Sequence, residues 1–475
     1  MIQNTTRGII VDFRIENLFG KYDYHLNFSK EDSDGTSGRR ISLLYGGNGS
    51  GKTNILTVLW HLMSESDRSG HRSALGRTPF GTLRVTLDNG HVISVKKESL
   101  GISNYNISVH DGSRELVSQS YRMTENGHVD KGDMSIDPLL RDIPFEPGSL
   151  EWRAALADLP SVYSNDSYIE YLAQLSVNPH FLADDRRIHN DDFEDEALKR
   201  RSRMERHLNT RVPSSFHVDA DYYSDFKPAL AQELTTAIRR VNENIRQLVY
   251  NGNTTGSRST EHIYLDLLRR IASTGSESGG SQDASYEFMS LVLSVAERTK
   301  KYSEFGLIAP LSGGDYLDLL KRLRGDRWDI AQGVLKPYLE AQNARMDALA
   351  DAESLIRTLL DRVNGFFDGK YIKFDMRKGI KISSEAGELL QPEQLSSGER
   401  QLLLLVLNTV LARTGTRLFL IDEPEISLNV KWQRRLTEAL LACAEGSDVQ
   451  FIMATHSVEI ITGNAKNLAR LVSIS

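Results

Sequence analysis

The chain has 475 residues, 40% of them hydrophobic and 25% charged, with a formal net charge of −7. At roughly 150 residues per domain, this length predicts two to three units with a sizeable core. The net acidity argues against nonspecific coating of nucleic acid, although a local basic patch stays compatible with binding it. No window reaches the ~20 uninterrupted apolar residues of a membrane span, and the opening MIQNTTRGIIVDF lacks a signal peptide's apolar stretch. A soluble, cytoplasmic protein with no membrane partner is expected. The lone cysteine, Cys443, excludes a disulfide scaffold and a Cys-based zinc site, and reads as a small core residue.

In chain order, IIVDFRIENL (9–18) and YDYHLNF (22–28) alternate apolar and polar residues and predict two antiparallel strands. A polar loop follows at 29–40, and ISLLY (41–45) has the pattern of a buried central strand leading into a glycine cluster. TLRVTL and HVISVKKE, separated by Asp88, Asn89 and Gly90, predict a hairpin closed by a two-residue Asn-Gly turn. NYNISVHDG (104–112) adds a strand, whereas 113–165 carries no strong periodicity. VNPHFLADDRRI (177–188) joins a short apolar strand to a charged end, and 191–207 is strongly charged.

From about 225 to 365 the pattern is helical. Leu230, Leu234, Ile238, Val241, Ile245 and Leu248 recur at spacings of three and four, as do Met346, Leu349, Ile356, Leu359 and Val363 at helical spacing. Such stripes suit packing within the chain or a coiled coil between chains, the first being the simpler reading. STGSESGGSQDAS (273–285) interrupts them as a loop. The strand pattern returns with KYIKFDMRKGIKISSE (370–385), followed by helix, strand, helix and strand. The expected architecture is a mixed α/β domain carrying a helical insertion.

Four constellations carry chemistry. Gly46, Gly47, Asn48, Gly49, Ser50, Gly51, Lys52 and Thr53 fit G-x-x-x-x-G-K-[ST] between a predicted strand and a predicted helix, which is a phosphate-binding P-loop. Its glycines let backbone N–H groups and the helix N-terminus face phosphate oxygens, Lys52 reaches the β and γ phosphates, and the Thr53 hydroxyl ligates Mg²⁺. In RLFLIDEPE (417–425) an apolar strand ends in Asp422, suited to holding Mg²⁺ through its water shell, and Glu423, suited to polarising an attacking water. An acidic pair at a strand end is common by itself, and the P-loop gives this one weight.

Leu395 to Arg400, LSSGER, precedes an apolar helix and reads as a serine N-cap with an acidic first turn, as an anion site, or as both. FIMATHS (451–457) brings His456 to the strand end where open α/β sheets bind ligands. There it either hydrogen-bonds a γ-phosphate or is an ordinary surface histidine.

In this order the P-loop, LSSGE, the strand ending in DEPE, and ATHS resemble the ATP-binding-cassette ATPase superfamily. Within it they are similar to the branch of SMC, RecF and OLD-like proteins rather than to transporter subunits. The resemblance covers 1–190 and 366–475 and implies an ABC-type P-loop ATPase head, with a mixed central sheet, an antiparallel β subdomain and a helical insertion. It implies an N-terminal lobe at 1–190 with the P-loop, the insertion at 191–365, and a C-terminal lobe at 366–475 with signature, Walker B and switch histidine.

By the same resemblance, Ser396, Ser397, Gly398 and Glu399 form the signature that closes on the γ-phosphate of ATP bound to a second subunit. Asp422 is the Walker B aspartate, Glu423 the catalytic glutamate, Leu428 and Asn429 the D-loop, and His456 the switch histidine. A head-to-head dimer with two sandwiched ATP molecules follows. Ser397 stands where the signature usually has glycine and Asn429 where aspartate is frequent. ADDRR (183–187), near the expected Q-loop, contains no glutamine.

The 19 residues after His456 are expected to leave no room for the C-terminal TOPRIM nuclease of OLD proteins. An insertion of roughly 175 residues with no Cys-x-x-Cys apex excludes a zinc hook or long SMC arms. What remains resembles stand-alone OLD-like ATPases, including the ATPase subunits of two-gene bacterial anti-phage systems of the PARIS and Septu type. That likeness implies an ATP-hydrolysing sensor or scaffold that forms a higher homo-oligomer and controls a separately encoded nuclease effector, with a phage-encoded trigger among its partners.

The competing expectation is a RecF-like DNA-binding repair ATPase, meeting phosphates through Lys199, Arg200, Arg201, Arg203 and Arg206, or Lys321, Arg322 and Arg324. Neighbouring Glu194, Asp195, Glu196 and Glu205 partly cancel that field and equally suit a solvated helix face. A nuclease in its own right lacks an HNH or PD-(D/E)xK pattern, and His189, His207 and His217 read as surface histidines.

Overall fold

The computed structural model describes residues 9–28, 40–47, 49–67, 70–130, 166–183, 188–189, 229–273, 282–321, 326–413 and 418–471. The chain forms two compact units, one from 1–230 with 411–475 and the other from 231–410. The fold is α/β, with a largely parallel sheet and an antiparallel sheet in the first unit, and helices with a small antiparallel sheet in the second.

The first unit opens with β1 (Ile10–Leu18), β2 (Tyr22–Asn27) and β3 (Ile41–Tyr45), followed by α1 (Lys52–Met63) and α2 (His71–Arg77). Next come β4 (Thr82–Leu87), β5 (His91–Lys97), β6 (Tyr105–Asp111), β7 (Arg114–Tyr121), α3 (Ser167–Leu175), β8 (His180–Leu182) and β9 (Ile188–His189). Strands β2-β1-β4-β5-β6-β7 form one antiparallel sheet. Period-two alternation puts Phe13, Ile15, Val85, Ile93 and Val109 on its core face, against buried residues of α1 such as Leu56 and Leu59. Truncating either leucine to alanine costs about 2–5 kcal/mol by the usual transfer and cavity terms.

Three local readings are corrected. The β4–β5 connection is a three-residue turn, Asp88 to Gly90, in which only Gly90 takes positive φ (+85°). Asp88 Oδ1 instead accepts the backbone N–H of Ile9, and Asn89 Oδ1 that of His91, so both side chains shape the turn. Strand β7 has no counterpart in the sequence pattern, because among the described residues it pairs only with β6, and it buries just Tyr121 fully. Helix α3 was also unmarked; Asp166 caps it by accepting from the backbone N–H groups of Tyr168 and Ile169.

The second unit contains α4 (Ala229–Ser273), α5 (Gln282–Ser303), α6 (Gly313–Leu320), α7 (Asp326–Ala348) and α8 (Ala350–Asn364). It continues with β10 (Lys370–Asp375), β11 (Gly379–Ser384), β12 (Leu389–Leu390) and α9 (Ser397–Ala412), the last crossing the unit boundary. Met346, Leu349, Ile356, Leu359 and Val363 are all buried. On α4 the buried line is Leu234, Val241 and Ile245 with Ala231, Ala237 and Val249, while Ile238 and Leu248 are half-buried. The stripes therefore pack within the chain. A Cβ on Gly252 would stand 2.5 Å from the Ala348 carbonyl, so α4 approaches the backbone of the α7–α8 junction this closely only because residue 252 has no side chain. Compactness puts the unit boundary at 410, whereas the sequence began its C-terminal lobe at 366.

The first unit resumes with β13 (Leu418–Asp422), α10 (Val430–Cys443), β14 (Gln450–Ala454), α11 (Val458–Gly463) and β15 (Leu468–Arg470). The second sheet has the order β15-β3-β14-β13-β8-β9, parallel except for β9. Its apolar runs are buried on both faces, as parallel strands covered by helices require. Asp422 pairs with Ala454, Ala454 with Leu44, and Leu44 with Ala469, so β13, β14 and β3 end flush at one edge. Cys443 is buried on α10.

No helix among the described residues is long and apolar enough to cross a membrane. The basic cluster 199–206, Arg322, Arg324, His207, His217, residues 184–187 of ADDRR, residues 274–281 of the expected loop and Asn48 lie outside the described residues. Ser273 and 282–285, expected in that loop, belong to α4 and α5. Lys321 lies 3.9 Å from Asp318, one helical turn back.

Candidate active site

From β3 the chain passes through Gly46, Gly47, Gly49, Ser50 and Gly51 into α1 at Lys52. Gly49 and Gly51 have φ of +74° and +82°, a region that L side chains rarely adopt. A Cβ on Gly46 would lie 2.8 Å from Ser50 Oγ and 3.1 Å from Leu471 Cβ, whereas Gly47 and Gly49 face open space. The loop is thus tight behind and open in front. Gly51 caps α1 with no side chain, which leaves the first N–H groups of the helix turned to that opening. Tyr24 on β2 donates its hydroxyl to the Ser50 carbonyl at 2.8 Å, bracing the loop from the antiparallel sheet.

Lys52 is only 6% exposed, and its Nζ donates to the carbonyls of Gly46 (2.9 Å) and Gly47 (3.1 Å). Burial lowers its pKa below the ordinary lysine value, and the carboxylates of Glu423, Asp422 and Glu425 partly counter that. The ammonium therefore stands among the acids of the site. Thr53 is exposed on the first turn of α1.

Strand β13 delivers Asp422, 2% exposed, and then Glu423. Glu423 has φ +46°, a left-handed backbone that costs of order 1–3 kcal/mol for a non-glycine residue. Its N–H donates to the Ala454 carbonyl at 2.9 Å, and its own carbonyl accepts from Ile426 at 3.1 Å. Those two bonds turn the side chain toward β14, where Glu423 Oε1 lies 3.8 Å from His456 Nε2. Glu425 Oε1 accepts the backbone N–H groups of His456 (2.7 Å) and Ser457 (3.0 Å). Ser457 caps α11 by accepting from Ile460 and donates its hydroxyl to Gln433 Oε1 at 2.7 Å.

The flush edge thus gathers Lys52, Asp422, Glu423 and His456. Tyr24, Glu425, Gln433 and Ser457 brace them and went unseen in the sequence. Only the repeated acid in DEPE hinted at Glu425, and its partners lie 31 and 32 residues away. Asn429, at the expected D-loop, accepts from the Trp432 N–H as the N-cap of α10. ATP with Mg²⁺ fits what is present: an open glycine cradle, a cation inside it, and the hard oxygen donors Thr53 and Asp422 beside it. Among the described residues, no group of three or more His, Cys, Asp or Glu side chains is disposed to hold a metal.

The segment expected to be the signature, 396–399, lies in the second unit. Ser396 Oγ accepts the Glu399 N–H (3.3 Å) and Glu399 Oε2 accepts the Ser396 N–H (2.6 Å), a reciprocal capping box at the start of α9. Lys370 Nζ donates to both Glu399 oxygens, at 3.0 and 2.7 Å. Burial raises the Glu399 pKa, but the bonds from Lys370 and Ser396 outweigh it and hold the carboxyl below its ordinary value. Ser396 and Ser397 are exposed, and Gly398 is buried.

Residues 41–462 match a family model described as "AAA domain, putative AbiEii toxin, Type IV TA system". No curated protein matches the chain. Among solved structures, an Smc head domain with an extended coiled coil from Pyrococcus furiosus, bound to the C-terminal domain of ScpA, is similar at 13% identity and TM-score 0.37. That alignment covers 98% of this chain and 96% of that one. An SmcHead bound to the C-winged helix domain of ScpA gives 12% identity, 98% coverage of both chains and TM-score 0.34. An Smc head domain with a coiled coil and joint from Pyrococcus yayanosii gives 13%, 98% and 97% coverage, and 0.32. Because the family match spans most of the chain and contains the P-loop, the acidic pair and His456, the protein belongs to this family of AAA ATPase domains.

Proposed function

We propose that the chain is the ATP-hydrolysing sensor or scaffold subunit of a bacterial anti-phage complex, which oligomerises and controls a separately encoded nuclease effector. The observation that carries the catalytic part is the gathering of Lys52, Asp422, Glu423 and His456 on one flush sheet edge. A family description that names a toxin and a toxin–antitoxin system supports coupling of that ATPase to a growth-arresting effector.

In this reading the P-loop N–H groups and the α1 N-terminus bind the ATP phosphates, and Lys52 reaches from the loop carbonyls to the β and γ positions. Thr53 and Asp422 would hold Mg²⁺, which when bound neutralises charge on the phosphate oxygens. Glu423 orients the attacking water for in-line displacement, and His456 donates a hydrogen bond to the γ-phosphate. Ser396, Ser397, Gly398 and Glu399 complete the site of a second subunit in a head-to-head dimer holding two ATP molecules. The lobes at 1–190 and 366–475, with the insertion at 191–365, are the functional division of that head. A higher homo-oligomer, a phage-encoded trigger and a cytoplasmic setting complete the proposal.

The test is mass spectrometry of everything retained by a tagged Glu423→Gln protein expressed with its neighbouring genes, before and after phage infection. A stoichiometric nuclease-like protein lost on infection is the expected result. DNA retained with repair proteins, indifferent to phage, overturns it in favour of a RecF-like maintenance ATPase.

A further inference from the structure

The antiparallel sheet of the first unit has two unlike faces. One is core; the other bounds a concavity of about 1000 Å³. Register lays two rows of side chains across it. Arg14 stands opposite Arg84, Arg84 opposite Ser94, and Ser94 opposite Ser108. Two residues along, Glu16, Thr82, Lys96, Asn106 and Ser120 form the second row, and Arg122 follows the end of β7. None of these nine row residues is apolar, while His25 on β2 stands opposite Arg14 and His110 lies at the far end of the concavity.

The charge on this face runs against that of the chain, whose net is −7. Arg14 and Arg84 are like charges directly opposite one another, an arrangement that destabilises a sheet by itself. Asp12 lies 3.4 Å from Arg14 but is shared with His25 at 2.6 Å. Among the described residues, Arg84, Lys96 and Arg122 are exposed and have no carboxylate partner. The two carboxylates of the concavity are already engaged: Glu16 accepts from the Thr82 hydroxyl (2.6 Å) and Glu98 from the Asn104 amide (3.1 Å). None of these three cations is neutralised within the face, which leaves its positive charge available to an external partner.

We propose that this face docks the acidic surface of a separate protein partner. Charge complementarity selects an anionic occupant. The rows between the cations select its class, since Thr82, Ser94, Ser108, Ser120 and Asn106 both donate and accept hydrogen bonds. Peptide and amide groups use both capacities, whereas phosphate oxygens only accept. Glu16 and Glu98 repel a continuous polyanion, and of the rings that line the concavity Tyr105 and Tyr121 are buried while His110 lies 3.6 Å from Glu115, so single-stranded bases find little to stack on. The face shares no residue with the nucleotide site, so it stands or falls apart from the ATPase reading.

The test compares the full-length protein with Arg84→Glu/Lys96→Glu/Arg122→Glu and with the charge-preserving Asn106→Leu/Ser108→Leu. The probes are a labelled alternating Glu-Ser peptide of about 20 residues and a DNA duplex of about 30 base pairs, titrated by fluorescence anisotropy at equal salt, with sedimentation velocity alongside. Expected are tighter binding of the peptide than of the duplex, a loss of roughly tenfold or more in the charge variant, and a smaller loss in the Leu variant. No peptide binding, or equal binding by all three proteins, overturns the proposal. Tighter binding of the duplex makes the face a nucleic-acid surface, and a change of sedimenting mass in the charge variant makes it a contact between copies; either result also overturns it. Should the charge-reversal protein not fold, the neutral Arg84→Gln/Lys96→Gln/Arg122→Gln takes its place.

Discussion

Glu425 accepts the backbone N–H of His456 at 2.7 Å, and so ties the turn that follows β13 to the turn that follows β14. The same oxygen takes the Ser457 N–H, and that residue starts the capped helix α11. Because Glu423 lies two residues before Glu425, this bridge fixes the 3.8 Å separation of Glu423 and His456 from both sides. Glu425→Ala frees two backbone donors and lets His456 drift. The expected result is a fall in kcat of about 10- to 100-fold with a much smaller change in nucleotide affinity. Glu425→Gln, which keeps an acceptor oxygen, should recover most of the loss. Equal kcat in the alanine variant and the wild type would remove the positioning role.

Glu423 and Lys52 are separated by their kinetic signatures. Glu423→Gln keeps the shape of the side chain but removes the base that orients water. Steady-state ATP hydrolysis should drop by about 10²-fold or more while ATP binding persists. Lys52→Ala removes the cation standing inside the loop, so binding itself should weaken in a titration. Unchanged hydrolysis in the first variant contradicts the role given to Glu423, and unchanged binding in the second contradicts the P-loop reading.

These residues were legible because each lies where an apolar run stops. ISLLY ends at the P-loop, LFLID at Asp422 and FIMAT at His456, and buried parallel strands are the elements that read as unbroken apolar stretches. The braces were not legible, since they join residues far apart in sequence: Tyr24 with Ser50, and Glu425 with His456 and Ser457. Strand β7 escaped because its conformation comes from pairing with β6 rather than from its own pattern. Asn429 looked like a departure from a D-loop, and its side chain turns out to cap α10. On α4 the sequence stripe and the buried line share Leu234, Val241 and Ile245 and differ only at the margin, where buried Ala231 and Ala237 carry less pattern than half-buried Ile238 and Leu248.

The capping box of Ser396 and Glu399 has its own pH signature. The folded-state pKa of Glu399 lies below its ordinary value, so its contribution is present above the unfolded carboxylate range and is lost as pH falls through the lower folded value. Lys370→Met removes the donor to both oxygens and leaves a buried carboxylate held by Ser396 alone, at a cost of about 1–3 kcal/mol near neutral pH. Denaturant titrations across the acid range should show wild type and variant converging as Glu399 protonates. A constant difference between them would mean that Lys370 acts through packing rather than through this carboxylate.

Lys97 supplies the opposite case on the alkaline side. Its side chain is buried, with Nζ donating to the carbonyls of Gly76 (2.7 Å), Thr78 (2.7 Å) and Gly101 (2.9 Å), and burial pushes its pKa down to about 8. Between that value and the roughly 10.4 of an unfolded lysine, the unfolded chain binds the extra proton, so folding stability should rise with pH across this window. The useful range ends near pH 9.5, because Tyr105, Tyr121 and Tyr168 have raised pKa values and pull stability down once unfolded tyrosines ionise near 10. Lys97→Met strands three carbonyls and should cost about 2–4 kcal/mol at pH 7. It should also abolish the rise between pH 8 and 9.5, a range set by the unfolded lysine and tyrosine values. Parallel urea unfolding curves for the two proteins at pH 7, 8 and 9.5 measure both effects, and a wild-type stability flat across that interval would show that the three carbonyls hold the ammonium charged well above 8.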